Sequence, residues 1–210
     1  MFRNRTEAGE RLAERIREES VEADLVLAIP RGGLPIGRAV ADELGVPLDV
    51  VVARKIGAPG YPELGIGAVT SDGTLWLNDD LIADLGVGDS YVDRVRDEEA
   101  AVAREKFDRY RGGRPAYDVS GKRVIVVDDG VATGGTMFAC LKWVTEAGAE
   151  RVIVAVPVSA PDTYEELTAE ADDVVCVDVP QYFTAVGAFY RDFGQVSDTE
   201  AISYLDAVEE

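Results

Sequence analysis

Short runs of apolar, mostly β-branched residues recur along this chain, each ending in a turn rich in glycine or charge. They fall at 24–29, 48–53, 123–127, 152–156 and 174–177. Segments with helical spacing lie between or beside them, at 6–19, 34–44, 89–110, 135–147 and 163–171. In the first, Ala8, Leu12 and Ile16 share a face, with Asn4 or Thr6 as N-cap. In the third, Val92, Val95, Val102 and Phe107 are expected to point inward. Runs this short carry no polar alternation, so they must be covered on both faces, as in a parallel sheet flanked by helices. Right-handed crossovers then give a doubly wound α/β fold, whose ligands sit beyond the carboxyl ends of the strands at the switch point. The Gly- and Pro-rich stretch 55–67 is read as a loop, and 68–70 with 74–77 as a hairpin around Ser-Asp-Gly. At 210 residues the chain suits a single domain, 1–210.

The turns that carry chemistry all fall at the ends of apolar runs. PRGG (30–33) follows the first, Arg54 and Lys55 the second, and DDGVATGGT (128–136) the third. Adjacent carboxylates at Asp128 and Asp129 suit the vicinal hydroxyls of a ribose, and can stabilise positive charge growing at an anomeric carbon. Ala132, Thr133, Gly134, Gly135 and Thr136 form a turn without bulky side chains. Its backbone N–H groups can close on a phosphate at the start of the next helix. A nucleotide-binding loop of the GK[ST] type is missing, and no GxGxxG follows the first run.

Composition narrows the partners. Forty acidic residues face 21 basic ones, for a net charge of -19. Such a field repels nucleic acid and anionic membranes. Scarce lysine beside abundant acid fits a salt-adapted proteome. An anionic substrate must be drawn in by local cations or a metal ion. The chain has no histidine, so no His base, nucleophile activator or metal ligand is available. Residues 1–20 are charged throughout, and no run approaches the ~20 apolar residues of a membrane span. Cys140 and Cys176 lack CxxC spacing and are expected to be free buried thiols. The expectation is a cytoplasmic protein.

VIVVDDGVATGGT closely resembles the 5-phosphoribosyl 1-pyrophosphate (PRPP) signature of type I phosphoribosyltransferases. LVLAIPRGGLPIGRAVADELGVP (25–47) resembles the pyrophosphate-loop region of purine and xanthine-guanine members, and the likeness runs from about residue 24 to 193. The resemblance implies a core at about 20–178, with a small hood from about 1–19 and 179–210. It implies that Asp128 and Asp129 bind the ribose hydroxyls and 132–136 the 5'-phosphate. Pro30, Arg31, Gly32 and Gly33 would hold the pyrophosphate, with the Pro30–Arg31 bond cis as in many relatives. Arg54 and Lys55 would serve as pyrophosphate or closure contacts on a mobile loop. Mg2+ would be bound mainly by PRPP oxygens, with Asp128 and Asp129 as metal ligands through water. Phe183, and next Tyr182, match the aromatic that faces the base. Hypoxanthine-guanine and xanthine-guanine types carry an acid at the position of Ala132, whereas adenine types have alanine. The implied function is transfer of a phosphoribosyl group from PRPP to a nucleobase-like nitrogen, by a homodimer. A non-catalytic PRPP- or nucleotide-binding regulator of the same fold is the alternative.

Overall fold

The computed structural model describes residues 1–206. In chain order the elements are α1 (Arg5–Glu18), β1 (Leu25–Ala28), α2 (Gly33–Leu44), β2 (Leu48–Val50), β3 (Ala53–Ala58), β4 (Tyr61–Thr70) and β5 (Leu75–Leu77). There follow α3 (Asp79–Leu85), α4 (Asp89–Arg111), β6 (Arg123–Val127), α5 (Gly135–Glu146), β7 (Arg151–Val158), α6 (Pro161–Glu170), β8 (Asp173–Asp178), a 3-10 turn (Val186–Phe189) and α7 (Asp198–Asp206).

Because side chains alternate along a strand, each unbroken apolar run feeds two cores. Leu25, Leu27, Val124, Val126, Val152 and Val154 meet Met137, Leu141 and Val144 of α5 and Leu167 of α6. Val26, Ala28, Ile125, Val127, Ile153 and Ala155 face the other way, toward Leu12 and Ile16 of α1 and Ile36 and Val40 of α2. The result is three layers around a parallel five-stranded sheet of order β2-β1-β6-β7-β8. The order reverses between β1 and β6, which pair in register from Leu25↔Val124 to Ala28↔Val127. Their carboxyl ends are therefore level at the switch point, and the two motif turns leave side by side. Asn4 caps α1, accepting a hydrogen bond from Glu7 N at 3.0 Å.

The stretch 55–67 is not a loop. Residues 53–70 form the antiparallel pair β3–β4, extended by β5 into a separate three-stranded sheet. Glycines and prolines that ordinarily break strands are absorbed by two register shifts, at Ile56/Gly57 and Gly57/Ala58. At Gly57 a Cβ would lie 2.6 Å from Pro62 O, so the strands approach there as only glycine allows. Ile56, Ile66 and Val69 bury this sheet against Ala100 of α4. Along α4 the inward stripe runs through Val92, Ala100, Ala103 and Tyr110. Val102, expected inward, is exposed, because it lies a third of a turn away from Ala103 on the same helix. Cys140 is buried and Cys176 partly buried; both are free. Burial pushes the Cys140 thiol well above its ordinary value and that of Cys176 up to about 11, which disfavours the thiolate at both.

Candidate active site

Four buried residues of β6, Val124 to Val127, carry Asp128 and Asp129 out of the sheet at the switch point. Asp128 turns its Oδ1 back to accept Asp129 N at 2.8 Å. Asp129 Oδ2 accepts Arg5 Nε at 2.7 Å, with both side chains largely buried. Arg5 in turn donates to Gly194 O at 2.6 Å and lies over the Phe193 ring, 3.9 Å from its centroid. Tyr190 Oη donates to Asp129 O at 2.6 Å. Terminal segments thus meet above the acidic pair. Phe2 N donates to Phe189 O at 2.7 Å, and Arg191 N donates to Phe2 O at 2.9 Å.

Burial raises the Asp128 carboxyl well above its usual range, and the charge of Asp129 pushes the same way. Arg5 pulls in the opposite sense. Asp129 is also raised, chiefly by burial, with Arg5 offsetting part of it. Burial and the neighbouring Asp129 hold the Tyr190 phenol protonated, so it stays a donor.

Beyond the pair, Val131 ties the loop to the end of β7: Val131 N donates to Val158 O and Ala160 N to Val131 O, each at 2.9 Å. Ala132 O accepts Thr163 Oγ1 at 2.5 Å, leaving Ala132 and Thr133 exposed. Gly134 has φ +74°, and a Cβ there would lie 2.4 Å from the Phe138 ring. Both constraints require glycine. No side chain caps α5, whose first bond runs from Phe138 N to Gly134 O at 2.8 Å. The opening N–H groups of α5 are left to solvent or an anion.

The PRGG turn sits directly against this loop. Pro30–Arg31 is cis, as the resemblance implies. A Cβ on Gly32 would lie 2.0 Å from Asp129 Oδ2, and one on Gly33 would lie 2.8 Å from Val127 O and 3.1 Å from Asp128 Cα. Two motifs separated by almost a hundred residues are therefore in contact, and α2 also begins without a side-chain cap. Gly32→Ala is expected to push Asp129 aside and lower kcat/KM at this site about tenfold, since displacement near 1 Å costs that much or more. Steady-state kinetics on a variant with unchanged melting temperature checks this.

Other sequence-predicted residues are placed less directly. Arg54 and Lys55 lie on β3, where Arg54 Nε meets Glu99 Oε2 at 2.8 Å and Lys55 Nζ meets Glu63 Oε2 at 3.0 Å. Phe183 stacks on Phe189, with centroids 5.3 Å apart, while Tyr182 is 84% exposed. Among the described residues no group of three or more Cys, Asp or Glu is arranged to hold a metal ion. Two adjacent carboxylates are instead a partial oxygen set of the kind Mg2+ uses alongside substrate phosphates. Among the described residues no helix is long and apolar enough to cross a membrane. Sequence reasoning missed Arg5, Tyr190 and Thr163. Only the aromatic cluster around Tyr190 offered any local signal.

A family model for the phosphoribosyl transferase domain matches residues 3–193. Rv0571c of Mycobacterium tuberculosis H37Rv, provisionally named a phosphoribosyl transferase, is 39% identical over 206 residues, covering 98% of this chain and 46% of its own length. The chain thus spans about half the length of that relative. A hypoxanthine/guanine phosphoribosyltransferase of Methanocella paludicola is 25% identical over 171 residues, covering 79% of this chain and 69% of its own. The crystal structure of TT1426 from Thermus thermophilus superimposes with a TM-score of 0.83 at 45% identity, covering 98% of this chain and 97% of that one. By its family match, its sheet order and its paired motif turns, this chain belongs to the phosphoribosyl transferase domain family.

Proposed function

We propose that the chain transfers the 5-phosphoribosyl group of PRPP to a nucleobase-like nitrogen acceptor and releases pyrophosphate. One observation supports this above the others: Gly32 and Gly33 lie against Asp129 and Asp128, so a ribose held by the acids has its C1 oxygen beside the PRGG turn. In this reading Asp128 and Asp129 bind the ribose hydroxyls and offset positive charge as the sugar becomes oxocarbenium-like. Residues 132–136 take the 5'-phosphate on free N–H groups at the start of α5. Pro30, Arg31, Gly32 and Gly33 receive the pyrophosphate, with Arg54 and Lys55 as further cations on the neighbouring hairpin. The acceptor nitrogen forms the bond to C1 as the C1–O bond breaks, and its electron pair leaves on pyrophosphate. Mg2+, held by Asp128 and Asp129 through water and by donor oxygens, would neutralise the departing charge.

The acceptor is assigned to the nucleobase class because the Methanocella relative is named for purine bases. Phe183, stacked on Phe189 near the 3-10 turn, is the aromatic we assign to the base, with Tyr182 beside it. Ala132 offers no carboxylate to an acceptor's ring nitrogen, which favours an adenine-like over a hypoxanthine-like base. A homodimer and a salt-adapted surface complete the reading. The test is pyrophosphate release from PRPP across a panel of bases, with Mg2+ in high salt. Release with one base is the expected result. Tight PRPP binding without turnover on any base would replace the enzyme by a regulator, and absence of PRPP binding would overturn both.

A further inference from the structure

A carboxylate of the chain itself already occupies an anion cradle beside the PRGG turn. Asp198, on the first turn of α7, lies with Oδ1 3.6 Å from Arg31 Nη1 and Oδ2 3.1 Å from Arg109 Nη1. The Tyr110 hydroxyl donates to Asp198 Oδ1 at 3.0 Å. These donors come from two distant elements. Arg31 belongs to the turn that touches the acidic pair, and Arg109 and Tyr110 end the long helix α4. Lys106 shares their face one turn earlier. Its ammonium is pushed down by burial and by the like charges of Arg54, Arg31 and Arg109, while Asp198 pulls it up.

Such a gathering needs a reason in a chain of net charge -19 with 21 basic residues. Arg54 is bonded to Glu99 and Arg109 also to Glu105, so Asp198 is the carboxylate that Arg31 and Arg109 share beside the turn. A single carboxylate is a thin counter-charge for that set. The match is better for a multiply charged anion. Tyr110 is 2% exposed and its phenol is pushed up to about 12, so the hydroxyl is a fixed donor at neutral pH. Arg31 and Asp198, by contrast, are about two-fifths exposed, at 41% and 40%, and their contact is long, so it yields easily to a competing anion.

We propose that Asp198 is an internal stand-in for the leaving group: its carboxylate fills a cradle of Arg31, Arg109 and Tyr110, with Lys106 one turn away on α4, until the pyrophosphate of the donor displaces it. The inference rests on the phosphoribosyl-transfer reading. It makes α4 a specificity element for the pyrophosphate end, and α7 a built-in competitor. Donors carrying pyrophosphate bear the competition; ribose 5-phosphate, which lacks that end, does not.

The test is calorimetric titration of the intact protein with inorganic pyrophosphate, PRPP and ribose 5-phosphate. Asp198→Asn should bind pyrophosphate and PRPP about three- to tenfold more tightly, because removing the internal anion raises the binding-ready fraction. Arg109→Met and Lys106→Met should bind both about tenfold more weakly, the loss of one charge-assisted contact. Ribose 5-phosphate affinity should stay level in all three. A merely structural role would move every ligand together, whereas the proposal moves pyrophosphate and PRPP alone, upward in Asp198→Asn and downward in the two cation variants. Arg109 is half exposed, so Arg109→Met keeps the test usable should Asp198→Asn fail to fold. Pyrophosphate affinity unchanged in both Asp198→Asn and Arg109→Met, with ribose 5-phosphate bound, sinks this inference alone. Failure of the wild type to bind either PRPP or ribose 5-phosphate sinks the functional reading, and the inference with it.

Discussion

Asp128→Asn should cost about 10²- to 10³-fold in kcat, the usual loss when one preorganised electrostatic partner of a transition state is removed. The same change should leave the fold as stable as before, or more so. Asp128 is a buried carboxylate raised above the ordinary value of 3.8 by burial and by Asp129. A raised carboxyl binds its proton more tightly in the folded than in the unfolded chain. The stability this lends is complete below the unfolded value and is lost as pH rises through the folded one. Asparagine does not titrate, so the variant should gain on the wild type as pH is taken upward from about 4. Asp129→Asn should behave differently in stability, because it also removes the partner of Arg5. The double variant should retain the fold and lose turnover altogether. Pyrophosphate-release kinetics and thermal melts across pH check these claims. Full activity in the double variant would remove the site assignment.

That opposition between activity and stability explains why the acidic pair was easy to see in the sequence. VIVV followed by two aspartates is a local conflict: a buried strand delivering charge where burial penalises it. Such conflicts gather at functional sites. The phosphate turn was legible for a related reason, since Thr133 to Thr136 form one contiguous stretch whose small residues need no distant partner to make sense. The sheet order followed from unbroken β-branched runs, which only a doubly covered parallel sheet can bury.

What stayed hidden depends on contacts between distant residues. Arg5 looks like any helix-start arginine until Asp129, 124 positions away, is found against it. Asp198 is one acid among forty, and its partners Arg31 and Arg109 are set far off along the chain. The β3–β4 pair was concealed for the opposite reason. Gly57, Gly60, Gly65 and Gly67 look like breakers singly, yet Gly57 and Gly67 are where backbone or side chains pass too close for a Cβ. The aromatic run 182–193 was visible as a cluster, but its division of labour was not. Tyr190 steadies Asp129, Phe193 stacks on Arg5, and Phe183 packs on Phe189.

The largest stability effect is expected at a site without local warning, the ion pair of Asp49 and Arg111. Both side chains are nearly buried, 8% and 5% exposed. Asp49, on β2, also accepts Val50 N at 2.8 Å and Tyr117 N at 3.4 Å. Arg111, the last residue of α4, donates besides to Arg114 O at 3.1 Å and to Pro115 O. The pair therefore anchors the end of α4, with Arg109 and Tyr110 on it, to the edge of the parallel sheet. Removing one partner strands the other charge in a dry site, and Arg111→Met or Asp49→Leu alone should cost about 3–5 kcal/mol. The double variant Asp49→Leu with Arg111→Met should recover most of that, because a buried pair replaced by apolar groups of similar size is commonly near neutral. Denaturant unfolding of the three variants reads the difference. Additive losses in the double variant would mean that the backbone bonds around Asp49 and Arg111, rather than the two charges, hold α4 in place. Recovery of stability with weakened pyrophosphate binding would show that the ion pair orients the end of α4, beyond securing the fold.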